Sequence, residues 1–166
     1  VSSGSDLVLS GTDERIKNCV RFYFRPQTPT QYYAEGVRSK IALSSSKFPD
    51  AHCPVPIFFL FDAASILAMD ECLFSDKNLG SRDYILYSTA AELANLDWQK
   101  IYHTGPTDRT SSAGSDIIIS RRSAEVIVPH RLDLRALRFI YCRSEAERET
   151  LLHFLPSPLY HTYRNR

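Results

Sequence analysis

Glu125 interrupts the stretch Ala124-Glu125-Val126-Ile127-Val128, placing an acidic residue in an apolar, β-branched run that follows a loop rich in Gly, Ser and Thr. Successive strand residues face opposite sides, so Ala124, Val126 and Val128 turn one way and Glu125 and Ile127 the other. A carboxylate sharing a face with an apolar neighbour is costly unless it has a partner. Either Glu125 is ion-paired with an arginine such as Arg121 or Arg122, or it lines a cleft and meets a polar ligand.

Other residues with chemical potential are scattered. Asp76 and Asn78 sit in Leu73–Gly80, a stretch of turn chemistry that leaves both side chains able to bind the backbone or a ligand. His52 and His103 suit acid/base steps or simple solvation, and Trp98 suits packing. Cys19, Cys53, Cys72 and Cys142 form no Cys-x-x-Cys pair, so a reduced, cytoplasmic protein with small buried thiols is expected. His52 and Cys53 are adjacent and would point apart in an extended segment, so no metal is expected. There is no Gly-x-Gly-x-x-Gly and no Walker-type Gly-Lys-Ser/Thr, so any nucleotide would be held another way.

The net charge of +1 carries no global nucleic-acid signature. Local charge differs: Arg121, Arg122, His130, Arg131, Arg135 and Arg138 surround the Glu125 strand, while Arg15, Lys17, Arg21, Arg25, Arg38 and Lys40 populate the first quarter. If the two groups meet they make a positive cleft for a phosphate-bearing partner; otherwise they form a solvated face.

These residues need a scaffold. With 166 residues, of which 43% are hydrophobic and 23% charged, one globular domain is expected over 1–166. No apolar run approaches a bilayer span; the longest, Val55–Phe61, contains Pro56. Val1–Asp6 has no signal-peptide pattern. Aromatic alternation predicts a strand over Val20–Arg25, closed by Pro26. Pro29 opens a short helix, Thr30–Glu35, which Gly36 ends. Val55–Phe61 reads as a central strand apolar on both faces, Asp62 as the cap of a helix Ala63–Met69, and Thr89–Leu96 as a helix followed by a short amphipathic piece at Trp98–Ile101. His103–Asp116 is the longest irregular stretch, of a length that is often functional. Strands are predicted at Ile117–Ile119, Ala124–Val128 and Leu137–Cys142. Ser144 with Glu147 forms a capping box for a last helix that turns Leu151, Leu152 and Phe154 inward and is stopped by Pro156 and Pro158. Strands outnumber helices without strict alternation, so the class is α+β.

Three segments in this order resemble the DarT family, the toxin half of DarT/DarG toxin-antitoxin pairs. They are Phe22-Tyr23-Phe24-Arg25-Pro26-Gln27-Thr28-Pro29-Thr30-Gln31-Tyr32, then Leu73-Phe74-Ser75-Asp76-Lys77-Asn78, then Arg122-Ser123-Ala124-Glu125-Val126-Ile127-Val128. The resemblance implies an ADP-ribosyltransferase-like split β-core with short flanking helices that clasps NAD as substrate. The acceptor would be a base in single-stranded DNA, or RNA, unpaired or flipped. It further implies a cognate macrodomain antitoxin and a monomer without metal. Glu125 would stabilise the oxocarbenium-like ribose formed when the nicotinamide bond breaks. Arg25 would join it in catalysis. Gln27, Tyr32, Asp76 and Asn78 would meet NAD, while Arg121, Arg122 and His103 would meet nucleic acid. Tyr32 and Tyr33 would stack on nicotinamide or a base, or pack half-buried.

Two departures stand out. Family members commonly carry an Arg after the Pro of the aromatic strand, where this chain has Gln27, with Arg25 two residues earlier. Nothing before Val20 matches the family's upstream NAD-gripping segment, so that piece is expected to be either missing or too divergent to see. A binding module of the same fold, holding a nucleotide or single strand without turnover, is therefore the alternative, its aromatic, basic strand stacking on bases.

Overall fold

The computed structural model describes residues 14–35, 57–81, 83–107 and 113–164. In chain order the elements are α1 (Glu14–Lys17), β1 (Cys19–Tyr23), α2 (Pro29–Glu35), β2 (Ile57–Phe61), α3 (Ala63–Leu67), β3 (Leu73–Ser75), β4 (Leu86–Tyr87), a 3-10 helix (Ala90–Asn95), α4 (Trp98–Ile101), α5 (Ala113–Arg121), β5 (Glu125–Pro129), a 3-10 turn (Leu134–Ala136), β6 (Leu137–Cys142), α6 (Glu145–Phe154) and α7 (Ser157–Tyr163). They fall into two compact units, the chain up to Pro29 with Ala63–Asp133, and Thr30–Asp62 with Leu134–Arg166. Arg38, Lys40, His52, Cys53 and Gly36 lie outside the described residues.

The first unit is built on a four-stranded sheet in the order β1-β5-β3-β4. β5 pairs antiparallel with β1, Tyr23 opposite Glu125 and Arg21 opposite Ile127, and with β3, Phe74 opposite Val126. Its β-branched run therefore fills a central strand, and Glu125 through Val128 are all buried. Ile127 packs with Ile16 and Leu79, with Cys19, Leu73, Tyr84 and Leu86 around them; full burial of such a side chain stabilises by about 1.5–3 kcal/mol. A second cluster is aromatic: Phe24 meets Trp98 edge-on at 5.3 Å and Phe74 at 6.3 Å, and Tyr102 stacks on Trp98 at 5.9 Å. Trp98 donates its indole N–H to Leu93 O.

In the second unit β2 and β6 form an antiparallel pair, Phe58 opposite Tyr141 and Leu60 opposite Phe139. β2 is thus one strand of a two-stranded sheet rather than a central strand, and Phe59 and Leu60 are exposed. Ser144 caps α6 by accepting from Glu147 N–H. The box closes one residue early, because the Glu147 carboxylate accepts from Arg143 N–H instead. Leu152 is buried, but Phe154 turns outward. Pro158 falls in the first turn of α7, which it opens rather than prevents.

Three further expectations are corrected. Ile117–Ile119 lies inside α5, because β-branched preference is weaker than the tertiary context that extends this helix to Arg121. Leu73–Ser75 is a strand between β5 and β4, so the turn starts only at Asp76. Thr89–Leu96 contains a 3-10 helix in place of an α-helix, with Glu92 accepting from Thr89 N–H.

Candidate active site

Glu125 opens β5 opposite the last residue of β1. Arg21 lies two residues back on β1 and, by the period of two, on the same face. Its Nε donates to Glu125 Oε2 at 2.6 Å and its Nη2 to Oε1 at 2.8 Å, a bidentate pair. The counter-ion is therefore Arg21, not Arg121 or Arg122. Side-chain exposure is 4% for Glu125 and 20% for Arg21, so solvent reaches this pair from the arginine side. Burial alone would lower Arg21, but the hydrogen bond and charge of Glu125 outweigh it and hold the guanidinium above its ordinary value. A carboxylate offers about four acceptor positions, so both oxygens keep capacity for a further donor.

The Glu125 backbone is fixed from the other side. Its N–H donates to Ser75 Oγ at 3.0 Å, and that hydroxyl donates to Lys77 O at 2.7 Å. Ser75, wholly buried, thereby takes over where the β3–β5 ladder ends. Asp76 is buried too. Its Oδ1 accepts from Ile85 N–H, its Oδ2 pairs with Arg121, and Arg121 also reaches Asp76 O. Asp76 and Arg121 thus brace the β3 turn against the end of α5. Asn78 is exposed, with Oδ1 accepting from Gly80 N–H in an Asx turn and its own N–H reaching Ser120 O.

Arg25 and Arg122 act on a different segment. Arg25 donates through Nη1 to Ile101 O at 2.9 Å and His103 O at 2.8 Å. Arg122 brings Nη2 to His103 Nδ1 at 2.7 Å and to Gly105 O at 2.6 Å. Burial first, and then the charge of Arg122, lowers Arg25 from its ordinary value. A Cβ on Gly105 would fall 2.9 Å from the His103 ring, so a larger residue there would have to displace that ring. Of the two basic groups expected to meet, Arg25 and Arg122 come together on Ile101–Gly105, while Arg21 is taken up by Glu125. Gln27 is exposed on the turn after β1, and Tyr32 is exposed in the second unit. Sequence reasoning missed Arg21 and Ser75 because neither strand pairing is visible from spacing.

Residues 6–162 match the family described as DarT, ssDNA thymidine ADP-ribosyltransferase. The chain belongs to the DarT family. Among solved structures, a Thermus sp. 2.9 DarT in complex with NAD+ superposes with a TM-score of 0.69 at 17% identity, over 93% of this chain and 73% of that one. The same DarT in complex with ADP-ribosylated ssDNA gives 0.66 at 18%, over 89% and 64%. No curated protein matches the chain. The fold is the α+β fold of DarT, and the motifs that carried the resemblance run from the end of β1 into α2, along β3 and its turn, and from the residues after α5 into β5. Among the described residues no helix is long and apolar enough to cross a membrane, and no group of three His, Cys, Asp or Glu is placed to hold a metal.

Proposed function

We propose that this chain transfers ADP-ribose from NAD+ to a thymidine base of single-stranded DNA, with Glu125 as the catalytic residue. The observation that carries it is a buried strand glutamate, both oxygens oriented by Arg21, in a chain whose family is described by that activity. The solved DarT structures that share the fold were obtained with NAD+ and with ADP-ribosylated ssDNA, which supports the same two substrates here. Cleavage of the nicotinamide–ribose bond leaves positive charge on the ribose, and a preorganised carboxylate stabilises it without reorienting. Burial on the protein side excludes water from the carboxylate and strengthens that interaction. A base must leave its stack to reach such a site, which favours single strands. Gln27 and Asn78, both exposed, are the expected NAD-side groups with side-chain capacity to spare. We assign the protein to the cytoplasm, as a monomeric toxin restrained by a cognate macrodomain antitoxin.

The test is incubation with NAD+ and single-stranded oligonucleotides with and without thymidine, read by intact mass. A gain of one ADP-ribosyl unit on thymidine-containing strands, reduced at least about 100-fold in Glu125→Gln, is expected. No mass gain, with NAD+ intact and strand binding retained, would replace the transferase by a binding module of the same fold.

A further inference from the structure

Arg25 and Arg122 converge on Ile101–Gly105 from opposite ends of the first unit's sequence, and among the described residues no carboxylate meets either guanidinium. Each uses one Nη nitrogen on carbonyls or the His103 ring, and the Nε of each is buried with no partner. Arg25 as a whole is 7% exposed. The other buried ions among the described residues of this unit are compensated, Glu125 by Arg21 and Asp76 by Arg121. A buried cation beside a second, half-buried one, with no counter-ion among the described residues, is costly, and burial and the charge of Arg122 accordingly disfavour the charged form of Arg25. The remaining Nη nitrogens make no hydrogen bond and are not sealed from solvent. Planar forks of this kind match the oxygens of a phosphate in geometry and charge.

We propose that Arg25 and Arg122 form a phosphate seat, completed by an anion that supplies the missing negative charge. Building on the transferase reading, the phosphate comes either from the acceptor strand's backbone or from the pyrophosphate of NAD+. His103 and Gly105 position Arg122 for this role, since its Nη2 is held by both.

Binding of each substrate alone, so that nothing turns over, separates the sources. Fluorescence anisotropy with a thymidine-containing single strand is measured over a salt series, and NAD+ is titrated by calorimetry. If the strand supplies the phosphate, Arg122→Gln lowers the slope of log affinity against log salt by about 0.7. If NAD+ supplies it, the slope holds and NAD+ binds at least roughly tenfold more weakly. Arg131→Gln, which removes an exposed charge just after β5, is expected to change neither. Unchanged binding of both substrates by a folded Arg122→Gln overturns the seat, as does an equal loss in Arg131→Gln. Should Arg122→Gln fail to fold, Arg122→Lys keeps the charge and loses the fork; it is expected to weaken one of the two substrates, and unchanged affinity for both overturns the proposal. Failure of the transferase reading appears instead as an absent mass gain in the unmodified protein.

Discussion

Glu125 and Arg21 are separated by 104 positions and joined by two hydrogen bonds, and this one pair sets the chemistry of the site. Removing one partner of a buried pair leaves an uncompensated charge, so Arg21→Gln should destabilise the protein by about 3 kcal/mol, at the low end for such pairs because Arg21 is partly exposed. Urea unfolding measures this, and a loss below the level of ordinary surface substitutions would mean that the pair is loose in solution. Ser75→Ala leaves the Glu125 amide and Lys77 carbonyl without their bridge, at about 1–3 kcal/mol. The need of Glu125 for a partner was legible from its apolar neighbours. The partner's identity was not, because the nearby arginines in sequence, Arg121 and Arg122, are drawn off to Asp76 and His103 by contacts that only folding creates.

Local rules read well where an element makes its own contacts. Cys19–Tyr23, Pro29–Glu35, Leu137–Cys142 and the Ser144 cap all fall within a residue or two of expectation. Ser144→Ala is expected to cost about 1 kcal/mol, visible as a lower thermal midpoint, whereas Phe154→Ser, at a position 76% exposed, should stay within about 0.5 kcal/mol. The misread elements share a cause. Ile117–Ile119 has strand-like side chains but sits in a helix, and Leu73–Ser75 has a turn-rich continuation but is drawn into the sheet by β5 and β4. In both cases a partner distant in sequence overrules local preference.

Across the whole molecule, burial raises the thiols of Cys72, Cys19 and Cys142 above their ordinary value; for Cys19 it outweighs the opposing hydrogen bond of His130 and the charge of Arg21. The folded state then keeps protons that the unfolded state releases. This contribution to stability is complete below the ordinary thiol pKa and is lost as pH rises through the folded values. Urea midpoints are therefore expected to fall on going from neutral to alkaline pH. Iodoacetamide mapping at neutral pH should find Cys72 the slowest of the three, and modification of Cys72 at the rate of a free thiol would contradict its burial. The sequence by itself determined the α+β class, the family and the strand carrying Glu125, because motifs and alternation are properties of short segments. Only the tertiary structure decided which arginine faces Glu125 and that Arg25 and Arg122 share one segment with no counter-ion among the described residues, because long-range pairing brings charges together that no local spacing connects.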